Sequence, residues 1–204
     1  MKLWHSPVSP FVRKVMITAH ETGQARDITT VDANTSVVAR NPDLVRDNPT
    51  GKIPALVLDD GTVLFDSRVI CAFLDSRHSG TPLIPETGIE RFRVLTLEAL
   101  GDAIMDAAVL ARYERALRPA EARWDKWEAG QIAKITSALD DLEARWLGLL
   151  GGRPNAGMVS VGAALGYLDF RFPDLDWRAG RPGLSAWYGG FARRPSMQAT
   201  KPGP

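Results

Sequence analysis

A serine followed by a proline in the segment SPVSPFVRKV could hold an anion near the start of the chain. Proline is favoured at the first position of a helix, so Pro10 predicts that Ser9 is the N-cap. At a helix start, unpaired backbone N–H groups and the positive end of the helix dipole favour a negative group such as a thiolate. The alternative is that Ser9 only caps the helix, a role worth about 1 kcal/mol.

The segment NPTGKIPALVL places a second proline directly before a predicted strand. Because Pro54 lacks an N–H, it would disrupt a central sheet ladder unless it lies at the strand's first position or in a turn. A cis bond between Ile53 and Pro54 is one solution. It would expose the N–H and C=O of Ile53 to an extended peptide ligand. An ordinary trans proline at a strand edge is the alternative.

The segment FDSRVICAFLD places Asp66 and Ser67 where a predicted hairpin passes into a helix. The helix N-terminus offers N–H donors to a carboxylate, and the Ser67 hydroxyl adds another donor. The Asp66 carboxylate would accept hydrogen bonds from an ammonium group. Together they suit the head group of an α-amino acid, with simple helix capping as the alternative.

The elements that position these motifs alternate between strand and helix patterns. Apolar runs predict strands at residues 2–5, 28–31, 55–58 and 62–65 and helices at 10–21 and from 67 onward. Residues from about 35 to 46 are predicted to be helical or irregular. Asp59, Asp60 and Gly61 separate the last two strands and favour a hairpin. This order of elements fits a thioredoxin-like layer.

The composition changes between residues 76 and 88, where SRHSGTPLIPETG interrupts any regular element. Beyond it, helical patterns cover residues 89–118, 120–150, 159–170 and 182–193. We therefore expect an α/β plus all-α protein, with a thioredoxin-like domain at 1–78, a linker at 79–87 and an all-helical domain at 88–204.

Acidic residues lie on neighbouring turns of the first predicted helix of the second half. Glu98, Asp102 and Asp106 are interpreted as a solvated acidic face. The alternative is contact with a ligand bound to another subunit.

The order SPFVRKV, NPTGKIPAL, a hairpin ending in FDS, and a helical second half containing GYLDFR closely resembles the bacterial cytosolic glutathione transferases. The resemblance implies that Ser9 holds the glutathione sulfur and that Ile53, before a cis Pro54, pairs with the cysteinyl backbone. Asp66 and Ser67 would hold the γ-glutamyl head group.

The resemblance leaves two further residues with open roles. Lys52 is a candidate for a carboxylate of the tripeptide, with a solvated surface lysine as the alternative. Ser6 lies on the same loop as Ser9 and is the reserve candidate for the sulfur contact. Many relatives begin a central helix with a Ser-x-x-Asp capping box, whereas Ser160 here is followed by Val161, Gly162 and Ala163, so the box lacks its acidic half.

The implied function is a glutathione transferase of the detoxification type. It would conjugate the glutathione thiolate to a small, largely apolar electrophile, using glutathione as co-substrate and no metal. The resemblance also implies a homodimer. A glutathione-dependent isomerase, dehalogenase or peroxidase and a non-catalytic glutathione-binding protein remain alternatives. So does an unrelated helix-rich protein with chance capping serines.

Composition narrows the partners. The chain has 25 Lys and Arg residues against 24 Asp and Glu, so it lacks the basic field that nucleic acids or anionic membranes require. The opening MKLWHSPVSP has no apolar run of signal-peptide length, and we expect a cytoplasmic protein with no membrane partner. The single cysteine, Cys71, excludes an internal disulfide and a CxxC pair and is predicted to be a buried thiol.

Overall fold

The computed structural model describes residues 1–203 and divides into two compact units. Met1–Glu86 and the chain from Pro195 onward form the first unit, and Thr87–Arg194 form the second. We expected all of residues 88–204 to belong to the helical domain. The last helix packs with the first unit instead, and its residues Ser196 and Met197 are buried.

The first unit is built on a four-stranded mixed sheet. Its strands are β1 (Lys2–His5), β2 (Thr29–Asp32), β3 (Ala55–Val57) and β4 (Val63–Leu64), and its helices are α1 (Pro10–Glu21), α2 (Pro42–Asp47) and α3 (Ser67–Asp75). The spatial order is β2-β1-β3-β4, with β1 parallel to β2 and antiparallel to β3. The predicted thioredoxin-like layer is confirmed.

Both faces of this sheet are covered, because consecutive side chains on a strand point to opposite faces. Leu3 and Leu56 pack with the apolar residues of α1 and α3. Their neighbours Trp4 and Ala55 point the other way and pack against Leu44 of α2. The sheet is therefore the middle layer of three.

The strand register brings three chain segments to one end of the sheet. Trp4 pairs with Ala55, so the end of β1 lies beside the start of β3. Leu56 pairs with Leu64, which places the end of β4 beside that same start. The segments that leave β1, enter β3 and leave β4 contain the three predicted motifs.

The second unit is helical, as predicted. It contains α4 (Gly88–Ala116), a 3₁₀ turn (Ala120–Ala122), α5 (Asp125–Asp141), a π-helical turn (Leu142–Trp146), α6 (Leu147–Leu150), α7 (Ala156–Arg171) and α8 (Pro182–Phe191). The last helix of the chain is α9 (Pro195–Ala199). Across the part of the chain that the structure describes, no helix combines the length and apolarity needed to cross a membrane.

Two expectations for the helical unit are wrong. Helix α7 begins with Asn155 as its N-cap, whose Oδ1 accepts a hydrogen bond from the Met158 N–H at 2.9 Å. Ser160 lies inside the helix, where its hydroxyl donates to Asp102 Oδ1 at 2.7 Å. Glu98 and Asp102 are buried rather than part of a solvated face.

Candidate functional site

Ser9 caps the first helix of the first unit. Its backbone is extended (φ −81°, ψ 123°), and Pro10 occupies the first helical position. The Oγ accepts a hydrogen bond from the Val12 N–H at 3.3 Å, and the carbonyl accepts from the Arg13 N–H at 3.0 Å. Within residues 1–203 the Ser9 hydroxyl donates its own proton to no group. Since a hydroxyl has one proton to donate, that proton is available to a ligand.

Ser6 lies in the same turn as Ser9. Its carbonyl accepts a hydrogen bond from the Ser9 N–H at 3.1 Å, which closes the turn between β1 and α1. Ser6 precedes the helix rather than capping it, so it lacks the converging N–H groups found at Ser9. Of the two serines, only Ser9 lies at the helix start, where a negative group is favoured.

A cis peptide bond joins Ile53 to Pro54, as the second motif suggested. Neither the N–H nor the C=O of Ile53 pairs with another residue of the described chain. The buried Asn48 fixes this loop, because its Nδ2 donates to the Lys52 carbonyl at 2.8 Å and its Oδ1 accepts from the Thr50 hydroxyl at 2.9 Å. Asn48 is a positioning residue that the sequence motif did not reveal.

Asp66 and Ser67 begin the third helix. Asp66 is the N-cap of α3, and its Oδ1 accepts a hydrogen bond from the Arg68 N–H at 3.0 Å. The peptide bond between Phe65 and Asp66 is also cis. Ser67 is only 2% exposed, yet its hydroxyl has no hydrogen-bond partner among the residues described. The proton of this hydroxyl is therefore available to a ligand.

Arg40 adds a cation beside Lys52 that sequence reasoning missed. Its Nη2 donates to the Pro49 carbonyl at 2.7 Å. Its side chain also lies against Gly51, where an added Cβ would come within 2.9 Å of Arg40 Nε. Residues 35–46 were expected to be helical or irregular, and α2 begins only at Pro42, which leaves Arg40 in the preceding loop. Two cations therefore lie near the segment that leads into Ile53.

His5 ends β1, just before the turn that contains Ser9. Partial burial lowers its pKa, an effect that the Asp32 carboxylate opposes only in part. The imidazole is therefore neutral at neutral pH, and it adds no positive charge at this end of the sheet.

Cys71 is buried, as predicted, and its sulfur accepts a hydrogen bond from the Thr18 hydroxyl at 3.2 Å. It lies in the core between α1 and α3.

The comparisons with known proteins agree with this geometry. Residues 8–77 match the glutathione S-transferase N-terminal domain family, and residues 102–190 match the glutathione S-transferase C-terminal domain family. The chain is 33% identical to an uncharacterized GST-like protein, YibF, of Escherichia coli strain K12, across 99% of this chain and 98% of the relative. It is 30% identical to glutathione S-transferase 3 of Zea mays, across 98% of this chain and 92% of the relative.

A crystal structure extends the agreement to three dimensions. It shows a glutathione transferase family member from Pseudomonas fluorescens Pf-5 with bound glutathione, and its sequence is 53% identical to this chain. The two structures superpose with a TM-score of 0.98 over 100% of this chain and 99% of that one. The chain therefore belongs to the glutathione S-transferase family.

Proposed function

We propose that this protein is a glutathione transferase in which Ser9 stabilises the thiolate of glutathione for attack on a small, largely apolar electrophile. The observation that carries the proposal is the Ser9 hydroxyl, which accepts a hydrogen bond from the helix and keeps its own proton for another acceptor. The glutathione bound to the Pseudomonas fluorescens relative supports the choice of ligand.

The rest of the tripeptide would occupy the other two motifs. The free N–H and C=O of Ile53 suit the cysteinyl backbone, paired as an added strand would be. The Asp66 carboxylate suits the γ-glutamyl ammonium group, and the Ser67 hydroxyl suits the adjoining carboxylate. Arg40 and Lys52 would attract the carboxylate at the other end of the tripeptide.

The energy required for ionisation is modest. A thiol with a pKa near 8.5 is only about 3% ionised at pH 7, whereas a pKa near 7 makes about half of it thiolate. That change costs about 2 kcal/mol. One hydrogen bond to a charged group supplies about 1.5–3 kcal/mol and a helix terminus about 0.3–1 kcal/mol more. Ser9 and the start of α1 are therefore sufficient without a general base.

The chemical step is a nucleophilic displacement or addition. With an aryl or alkyl halide, the thiolate sulfur forms a bond to the electrophilic carbon. The carbon–halogen bond then breaks, and halide leaves with the electron pair. Ser9 remains protonated throughout, because it donates a hydrogen bond rather than a proton. A serine at this position also means that no mixed disulfide forms with the protein here.

The pH dependence of turnover tests this role for Ser9. In Ser9→Ala we expect the apparent pKa of kcat/KM with an aryl halide to rise by about one unit or more. The rate loss should be largest at low pH and should shrink once the pH exceeds the raised pKa. Ser6→Ala, on the same turn, is the matched control and should keep the wild-type profile. An unchanged profile in Ser9→Ala, or a shifted one in Ser6→Ala, would contradict the assignment.

The proposal includes a cytoplasmic homodimer. Members of this family are typically dimeric, and exposed apolar side chains such as Val69 on α3 and Phe92 on α4 offer surface for self-association. Isomerase, dehalogenase and peroxidase activities use the same glutathione site. A screen of electrophile classes against one purified sample separates these reactions from conjugation and from glutathione binding without turnover.

A further inference from the structure

We propose that Arg112, Arg171 and the Tyr167 hydroxyl select electrophiles that carry a carboxylate group on an otherwise apolar body. The proposal rests on the proposed function, because it names the class of second substrate that the glutathione thiolate would attack. The three residues belong to the second unit, where they lie near the C-terminal ends of α4 and α7. Together with Tyr113 they are called the arginine–tyrosine cluster.

Helices α4 and α7 run side by side in the same direction. Near their starts, Gly157 of α7 lies against Leu97 of α4, where an added Cβ would come within 2.7 Å of the leucine side chain. Near their ends, the Arg115 guanidinium lies over the Phe172 ring, 5.1 Å from its centroid. The two C-terminal ends are therefore level with each other, and both arginines of the cluster lie there.

Tyr167 supplies a fixed hydroxyl with a free proton. The residue is only 6% exposed, and its ring meets the Phe172 ring edge to face, with the centroids 6.5 Å apart. Burial raises the pKa of Tyr167 to about 12, against the opposing effect of the Arg171 and Arg112 guanidinium groups. The phenol is therefore protonated at neutral pH. Among residues 1–203 it donates that proton to no group, so it can donate a hydrogen bond to an anion.

The two arginines of the cluster have no acidic partner. In the described part of the chain, neither guanidinium forms an ion pair or a hydrogen bond. The Arg171 guanidinium lies over the Phe170 ring, 4.1 Å from its centroid, a contact that leaves its N–H groups unpaired. No acidic residue lies three or four positions from Arg112 on α4, so no helical neighbour neutralises it. Both arginines are half-buried, and solvent screens their charges less than it screens exposed ones.

The carboxylates nearest to these arginines in sequence are occupied by other arginines. Each forms an ion pair outside the cluster: Asp169 with Arg178 at 2.7 Å, Glu114 with Arg118 at 2.7 Å, and Asp174 with Arg115 at 3.2 Å. The charges that act on the Tyr167 hydroxyl are accordingly those of Arg171 and Arg112, with no carboxylate of the described residues among them. Two positive charges thus remain uncompensated beside one hydroxyl donor.

A carboxylate matches this set of donors. A guanidinium presents its N–H groups in a planar fork, and two such groups with one phenol hydroxyl satisfy both oxygens of a carboxylate. The carboxylate takes no part in the bond changes. With an aryl chloride, the thiolate sulfur bonds to the ring carbon that carries chlorine, and chloride leaves with the electron pair of the broken bond. The cluster therefore lowers KM for the acid without altering the chemical step.

Turnover of a matched pair of electrophiles tests the proposal. The pair is 4-chloro-3-nitrobenzoate and its neutral analogue 4-chloro-3-nitrobenzamide, with each kcat/KM divided by the uncatalysed rate constant of that compound with glutathione. We expect the wild type to favour the acid by about tenfold or more. Arg112→Gln and Arg171→Gln should each lower kcat/KM for the acid about tenfold, through a higher KM, and should leave the amide unchanged.

Conservative changes separate recognition of the acid from folding. Tyr167→Phe keeps the buried ring and should lower kcat/KM for the acid about tenfold, while the amide is used as before. Arg171→Lys keeps the charge and should retain more activity with the acid than Arg171→Gln does. The matched control is Arg93→Gln at the other end of α4, where Arg93 forms an exposed ion pair with Glu90. That change should affect neither substrate.

Equal normalised use of the acid and the amide by the wild type would overturn the carboxylate selectivity. An equal loss with both substrates in Arg171→Gln, or a lost preference for the acid in Arg93→Gln, would also overturn it. A shifted pH profile in Ser9→Ala beside equal use of the two compounds would reject this proposal alone and leave the role of Ser9 intact.

Turnover of neither compound would count against the proposed function instead. Calorimetric titration of the glutathione-loaded protein then measures the preference of the cluster without turnover. We expect 3-nitrobenzoate to bind more tightly than 3-nitrobenzamide, and Arg171→Gln to abolish that difference. Equal affinities of the wild type for the two compounds would overturn the role of the cluster.

Discussion

Among single residues, Asp47 shows how a partly buried carboxylate couples stability to pH. It accepts hydrogen bonds from Trp4 Nε1 at 2.6 Å and from Lys2 Nζ at 3.0 Å. The bond from Trp4 is the main reason that the pKa of Asp47 lies below its ordinary value. The stabilisation is therefore complete above the unfolded pKa of about 3.9 and is lost as the pH falls through the folded pKa.

Asp47→Asn should lower the free energy of unfolding by about 1 kcal/mol at neutral pH, because the indole N–H then meets a neutral acceptor. Urea denaturation at a series of pH values should show that this difference narrows below about pH 4. The control is Asp43→Asn on the same helix, where an exposed ion pair with Arg46 should contribute almost nothing. A loss that persists unchanged into acid would refute the electrostatic explanation.

Residue-level prediction succeeded where a local signal exists. The proline after Ser9 marked a helix start, and the proline after Ile53 suggested the cis bond that the structure contains. Arg40 and Asn48 carry no such signal, because their positions depend on contacts with a loop that follows several residues later. The roles of Ser9, Lys52, Ile53, Asp66 and Ser67 toward glutathione stay predictions.

Among elements, α4 and α7 pack so closely at Gly101 that no side chain fits between their backbones. A Cβ on Gly101 would lie 2.6 Å from Ser160 Oγ and 2.7 Å from both the Ser160 carbonyl carbon and the Val161 nitrogen. Backbone atoms cannot move aside as a flexible side chain can. The absence of a side chain at residue 101 is what lets the two helices approach.

Gly101→Ala should therefore destabilise the protein by about 1–3 kcal/mol, despite the higher helix propensity of alanine. The matched control is Gly130→Ala on α5, where no atom lies within 4 Å of the added Cβ. That change should stabilise by up to about 1 kcal/mol. Thermal or urea unfolding of both variants measures the difference. A Gly101→Ala protein as stable as the wild type would disprove the close packing.

The sequence predicted which segments are helical better than it predicted the residue at which each helix begins. The sequence indicated a helix over 120–150, whereas the chain makes a 3₁₀ turn at Ala120–Ala122 and begins α5 only at Asp125. The resemblance placed Ser160 at the start of this helix, at the serine of the relatives' capping box, but Asn155 is the N-cap, five residues earlier. Capping residue types occur at many positions, and only the folded backbone selects among them.

For the whole molecule, the return of the chain end to the first unit matters for stability. Arg13 donates to the Met197 carbonyl at 3.2 Å, and the Ser196 hydroxyl donates to Glu21 at 2.5 Å. Met197 is fully buried at this contact. Helix α9 thus contacts α1, the helix that Ser9 caps.

Deleting the residues from Pro195 onward should lower the free energy of unfolding by at least about 2 kcal/mol, through loss of the buried methionine and the two hydrogen bonds. Deletion from Lys201 onward is the control and should change little, because it retains α9. Thermal denaturation followed by circular dichroism compares the two. Equal melting temperatures for both truncations would show that α9 is not needed for stability.

The Pro- and Gly-rich break after residue 75 predicted two units. No local sequence pattern predicted that the end of the chain would pack with the first unit.

The central claim is that the Ser9 hydroxyl keeps the glutathione sulfur ionised at the start of α1. The most direct measurement is a pH titration of the ultraviolet thiolate absorbance of glutathione bound to the wild-type protein and to Ser9→Ala. We predict a midpoint near pH 7 for the wild type and one higher by about one unit for the variant. Identical midpoints, or a wild-type midpoint near the free-thiol value of about 8.5, would contradict the claim.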